Sequence, residues 1–376
     1  MKKKFTTIAY FAFTTSLMAA TAEQMNKAFN ALSDLIPYIT HRERFLDKSN
    51  EKIIVKEIEE LKVAFKNVRH EALIKEDIFH PSYDLINDNI NGTLSAFKNN
   101  RKDYAHWRLK ETTSLCIDCH TRLPISYSSS FQNGKNNIDN SKFDNAYDLG
   151  IANLLVRRYV DAKNSFLRSI DDKMIKKQTD DIILPFKQIL LIETKALKNP
   201  ANMLALLDKY KEKKEIPQET HLRILSWINR LNHWKNNPLL AKGIQTDKEL
   251  DQFIDKVLIP LTKKPLYNEG FDVDLLFVSG LLANYYFENP ATNRAPEISY
   301  WMGWSEKYLK RERFFSSGDL FLKQCIKRYY FNPIAKKCFE EYKESIEFDF
   351  SGSSGTHIPE DLKKELDDFS KLINKK

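Results

Sequence analysis

Apolar residues recur at spacings of three and four along most of the chain, and no convincing run alternates residue by residue as a strand would. That period marks helices with a single buried stripe. Four stripes follow one another after residue 23. The first carries Met25, Phe29, Leu32, Ile36 and Ile39, and the second Ile54, Ile58, Leu61, Phe65 and Val68. The third, after His80-Pro81, carries Tyr83, Ile86, Ile90, Leu94 and Phe97. The fourth starts beyond Asn99-Asn100 and runs through Tyr104, Trp107 and Leu115 to His120, with Pro124 as its stop. One stripe per helix with short connections predicts an up-down-up-down four-helix bundle over 23–125.

Residues 126–142 are polar and predict a linker. Helical periodicity resumes from 143 to 350, cut by Pro185, Pro200, Pro217, Pro238, Pro260, Pro290, Pro296 and Pro333 at helix starts or breaks. Within it, Leu149-Gly150 followed by Tyr159, Ala162 and Phe166 resembles one tetratricopeptide repeat, although the later helices depart from that pattern. The expectation is therefore a general α-helical hairpin solenoid over 143–350, then a loop and a last helix over 351–376. The fold class is all-α. Ten glycines in 376 residues, against a usual share of about 7%, fit that class. No glycine-rich phosphate-binding run is present.

The formal charge of +8 includes Lys2, Lys3 and Lys4. These precede an apolar run, Phe5 to Ala20, and the small-residue site Ala20-Thr21-Ala22, the pattern of a secretory signal peptide cleaved after Ala22. The expected location is periplasmic, with no integral membrane span after cleavage. Elsewhere lysines and acids are interspersed, so no nucleic-acid stripe is expected.

The four cysteines fall into two pairs. Cys325 and Cys338 flank Phe331-Asn332-Pro333, a turn between two helices, and are expected to form a disulfide. Cys116-Ile117-Asp118-Cys119-His120 is C-x-x-C-H, the attachment string of haem c. The two cysteines, three apart on a helix, share a face that could form thioethers, and His120 follows as proximal iron ligand. A thioredoxin-like pair would need a βαβ context, and a zinc site two further ligands.

With this motif at the end of the fourth helix, residues 23–125 resemble the class II c-type cytochromes, the cytochrome c-prime group. In low-spin members a methionine early in helix one is the sixth ligand, and Met25 stands in that place. The family's basic residue four positions after the haem histidine is Pro124 here, with Arg122 as a substitute. Bundle geometry agrees on the pole. His41 lies about 24 Å from Met25 along a helix, and His106 about 21 Å before His120, both too far. His80 and His70 lie at the correct pole as runners-up, and an open five-coordinate iron is a further alternative.

The expected function is a monohaem c-type cytochrome that transfers single electrons and docks a redox partner protein or envelope complex through the solenoid. It is expected not to be an enzyme, with weak peroxidase-type activity left open. The alternatives are a haem-based gas-binding or sensor protein with an open distal site, and a haemless disulfide-bonded scaffold. Tyr285, Tyr286, Tyr300, Trp301, Trp304 and Tyr308 read either as solenoid core or as a docking surface.

Overall fold

The computed structural model describes residues 26–68, 80–123, 138–263, 270–311, 317–353 and 355–375. The expected signal peptide, Met25 and His70 lie outside these residues, as does the side chain of His80. The chain is all-α. Among the described residues the only strands are β1 (Ser351–Gly352) and β2 (Gly355–Thr356), a two-stranded antiparallel turn. No described helix is long and apolar enough to cross a membrane.

Two compact units divide the chain, one up to residue 176 and the other from 177 onward, with 121–123 belonging to the second. The first unit holds α1 (26–40), α2 (Arg42–Leu46), α3 (Glu51–Val68), α4 (His80–Lys98) and α5 (Lys102–Arg122). The hairpin α6 (Ala146–Leu155) and α7 (Tyr159–Ile175) completes it. The expected stripes are its core. Leu32, Ile36 and Ile39 of α1, Ile54, Ile58, Leu61 and Phe65 of α3, and Tyr83, Ile86, Ile90, Leu94 and Phe97 of α4 are all buried.

The expected fourth stripe needs correction. Tyr104 and Trp107 are 44% and 53% exposed, and their rings stack on the outside of α5. Arg101 and Arg108 lie over the Tyr104 ring. Leu115 is buried as expected, and the other inward positions are Ala105, Leu109, Thr112 and Cys116, spaced 4, 3 and 4. The first three are buried and Cys116 is half-buried. Small residues and a threonine on the inner face let α5 approach its neighbours closely, and the bulky aromatics are left outside with cations to cover them.

At the end of α1–α2, His41 Nε2 lies 3.0 Å from Asp148 Oδ2 of α6, and His106 Nε2 lies 2.8 Å from the Ile39 carbonyl. Both histidines are thus tied to the scaffold, far from His120 along the helices. In the α6–α7 hairpin a Cβ on Gly150 would sit 2.5 Å from the buried Phe166 ring, so only glycine allows that approach.

The second unit runs through α8 (Ile183–Leu191), α9 (Pro200–Tyr210), α10 (Gln218–Trp234), α11 (Pro238–Lys242), α12 (Asp247–Phe253) and α13 (Ile259–Thr262). It continues through α14 (Phe271–Glu288), α15 (Ala295–Arg311), α16 (Gly318–Arg328), α17 (Ile334–Asp349) and α18 (Glu360–Ile373). The prolines open α9, α11 and α15 within their first turn and cap α10 and α17, because a missing N–H costs nothing there. Helix α14 is apolar all round and almost wholly buried, the pattern of a central helix.

Two polar anchors hold α14. The Trp227 and Trp234 indoles of α10 donate to the buried carboxylates of Asp272 and Asp274. Lys195, in the π-turn Ile192–Ala196 that ends α8, donates at 2.5 Å to Glu306 of α15, which also accepts from Ser279. Tyr285, Tyr286, Tyr300, Trp301 and Trp304 are buried, so these aromatics are core. Cys325 and Cys338 form the expected disulfide, with Cα atoms 6.2 Å apart.

Candidate functional site

Helix α5 starts cleanly because α4 ends on a left-handed residue. Asn100 has φ 58°, and the N–H groups of Asn100 and Arg101 turn back to the carbonyls of Phe97 and Ala96. From there α5 carries Thr112, Cys116 and His120 down one side at steps of four. All three line an apolar cavity with Phe29 and Leu32 of α1, Leu61 and Phe65 of α3 and Ile86 and Ile90 of α4. Leu155, Val156 and Arg157, from the end of α6, close it. Cys119 stands one turn beyond Cys116. Both are thiols and are not joined to each other. Burial pushes the Cys116 thiol up to about 12, and the neighbouring Cys119 adds to the effect.

His120 Nδ1 sits 2.5 Å from the Leu155 carbonyl. A carbonyl only accepts, so the proton is on Nδ1 and the lone pair on Nε2. Burial holds the ring's pKa down to about 4, with the nearby Arg157 guanidinium lowering it further and the Leu155 bond opposing both. His120 is therefore a neutral base of fixed tautomer at physiological pH. Its own carbonyl accepts from the Tyr159 hydroxyl at 3.3 Å.

The acceptor has a local cause. At the end of α6 the Arg158 N–H returns to the Asn153 carbonyl and the Arg157 N–H to that of Leu154, with Arg157 left-handed at φ 60°. This Schellman closure satisfies two terminal carbonyls and leaves that of Leu155 open to an outside donor. A non-glycine residue in that conformation costs roughly 1–2 kcal/mol, so the turn stores strain beside His120. Arg157 is buried, and its Nε lies 3.3 Å from the Tyr159 hydroxyl. Arg122, the expected substitute for the missing basic residue, is buried with its guanidinium 4.7 Å above the Phe321 ring. Arg157 is thus the buried cation at the cavity. Sequence reasoning missed Leu155 and Arg157. The available signal was Arg157-Arg158 directly after an apolar helix that ends without a glycine.

The donor set fits haem c. Two thiols lie at i and i+3, a histidine follows, its Nδ1 is held by a backbone acceptor, and the lone pair is on its Nε2. A hydrogen bond on the non-ligating nitrogen is the usual outer support of a metal-bound histidine. The space does not yet match, since the cavity holds about 30 Å³ against roughly 300–1,000 Å³ for cofactor-sized pockets. Among the described residues no group of three or more His, Cys, Asp or Glu side chains could hold a bare metal ion. The two predicted cysteines and His120 are therefore brought to one end of α5, whereas Met25, His70 and the His80 side chain lie outside the described residues.

Compared with known proteins, the chain matches no family model, no curated protein and no solved structure.

Proposed function

We propose that this is an exported monohaem c-type cytochrome whose residues 23–125 form a four-helix bundle of the cytochrome c-prime type. One observation carries the reading: His120 presents a neutral ring whose Nδ1–H donates to the Leu155 carbonyl, next to two thiols at haem-attachment spacing. In this reading Cys116 and Cys119 are the thioether positions, His120 binds iron through Nε2, and Met25 is the sixth ligand. Arg157, a buried cation lining the cavity, would offset the negative charge of the group's carboxylates. Haem held there supplies a one-electron iron couple, with its potential raised if the axial pair is Met/His. The chain's own share is to fix the histidine, exclude water with Phe29, Leu32, Leu61 and Phe65, and place a buried cation. The helical hairpins of 143–350 are read as a solenoid that docks a redox partner or envelope complex.

The test is expression with haem c maturation, followed by a haem-stained denaturing gel and spectra of the oxidised and reduced protein. The expected result is covalent haem in the natural chain, none in Cys116→Ala/Cys119→Ala, and covalent but high-spin haem in His120→Ala. Loss of a long-wavelength oxidised band in Met25→Leu assigns the sixth ligand. A natural chain that already shifts under carbon monoxide favours gas binding. Absence of covalent haem overturns both readings and leaves the scaffold.

A further inference from the structure

The disulfide between Cys325 and Cys338 closes a tip whose composition is unlike the rest of the chain. Between the two cysteines lie Lys327, Arg328, Lys336 and Lys337 and no acid. The acid-free stretch extends from Leu320 to Phe339. All four basic residues are exposed. At the apex, Phe331 is 75% and Tyr330 43% exposed, their rings edge to face 5.6 Å apart. Pro333 beside them is exposed as well. Elsewhere in the unit large aromatics are mostly buried, so an exposed phenylalanine at the apex of a turn stands out.

The tip is also stiff. Asn332 N–H returns to the Tyr329 carbonyl, and Asn332 Oδ1 accepts from the Ile334 N–H. Helices α16 and α17 rise from the turn, and the buried disulfide ties them about one turn in. A preformed tip loses little freedom on binding. The first acids beyond it, Glu340 and Glu341, follow the bridge, and Glu341 is engaged by Lys307.

From this arrangement we infer that the disulfide-closed tip at 325–338 docks on an anionic phospholipid surface. Phe331 and Tyr330 enter the headgroup layer, and Lys327, Arg328, Lys336 and Lys337 sit over its charge. Charge complementarity selects the partner, because lipid phosphates attract each such cation. The apical aromatics select a bilayer over a folded acidic protein: a ring pair with a polar end suits the interface between water and acyl chains. Single-stranded nucleic acid would need a row of stacking rings along a basic groove, whereas this feature is one compact point. The inference does not rest on the haem reading.

The test is co-sedimentation of the full chain with phosphatidylglycerol/phosphatidylcholine vesicles and with phosphatidylcholine alone. The variants are Phe331→Ser and the set Lys327→Gln, Arg328→Gln, Lys336→Gln, Lys337→Gln. All variants keep the same N-terminal segment, so any part it plays is common to them. The substituted side chains are exposed, and circular dichroism with a thiol count checks that fold and disulfide persist. The expected result is binding to the anionic vesicles only. It weakens roughly fivefold per neutralised cation, falls with salt, and weakens about tenfold in Phe331→Ser. Equal binding by all variants, or none by the natural chain, overturns the inference. Loss on neutralisation with no effect of Phe331→Ser overturns it in favour of an acidic protein surface. Capture by oligo(dT) without vesicle binding overturns it in favour of nucleic acid.

Discussion

Replacing Glu306 by glutamine tests how the second unit is held around its central helix. Lys195 and Glu306 are both fully buried and joined at 2.5 Å, and Ser279 donates to the same carboxylate oxygen. Glutamine keeps the shape and an acceptor oxygen but removes the negative charge beside the buried Lys195 ammonium. Breaking one side of a buried pair in this way costs about 3–5 kcal/mol. With a urea dependence of roughly 2–3 kcal/mol per molar for a unit of this size, the midpoint should fall by about 1–2 M. Four of the five tryptophans lie in this unit, so intrinsic fluorescence follows its unfolding directly. The double variant Lys195→Met/Glu306→Leu removes both charges. Its buried hydrophobic replacements are neutral or stabilising in comparable cases, and the orphaned Ser279 hydroxyl takes back about 1 kcal/mol. The double variant should therefore unfold within about 2 kcal/mol of the natural protein and far above the single one. A Glu306→Gln midpoint within 0.3 M of the natural value, as an order of magnitude well below the ~1 M expected, would refute the argument that the ammonium is cut off from water.

Gly280→Ala should lose at least about 2 kcal/mol in the same urea assay, because a Cβ there meets the Lys195 carbonyl oxygen at 2.4 Å. The disulfide closes a loop of about 14 residues, for which the chain-entropy relation gives about 3 kcal/mol. Reduction should therefore lower the midpoint of the second unit and leave Trp107 in the first unit unaffected. Burial holds the Lys198 ammonium down to about 8, against the pull of Glu288. The unfolded chain thus binds more protons between about 8 and 10.5, and stability should rise with pH across that window and carry the full penalty below it. Lys198→Gln should flatten that rise and raise stability at neutral pH by up to about 2–3 kcal/mol, a difference read from paired melting curves.

The sequence was informative wherever an interaction is local. Stripes at spacings of three and four name the buried positions of α1, α3 and α4 almost one for one, since a helix face is fixed by its own residues. Cys325 and Cys338 were legible for the same reason: a turn with cysteines equidistant from it makes an antiparallel pair. Helix α5 was misread at Tyr104 and Trp107 because aromatic size does not say which face goes in. There the inner face is set by small residues that matter only once α5 meets its neighbours. The pairing of Lys195 with Glu306 spans 111 residues, and no local pattern marks it. The same holds at the candidate site, where C-x-x-C-H names three residues, while Leu155 and Arg157 arrive from a helix that starts 26 residues after His120.

That arrival has an electronic side. The carbonyl that accepts from His120 Nδ1–H belongs to the last turn of α6, where the aligned peptide dipoles leave a partial negative charge of roughly half an electron. An imidazole bonded to such a helix end is polarised towards imidazolate and becomes a stronger σ-donor through its other nitrogen. Were iron held on Nε2 as proposed, that push would favour the ferric over the ferrous state, and the turn at Arg157 would bias the electron affinity. A few backbone torsions, 35 residues from the histidine they serve, would then help decide which neighbours in an electron chain can give to this protein and which can take from it.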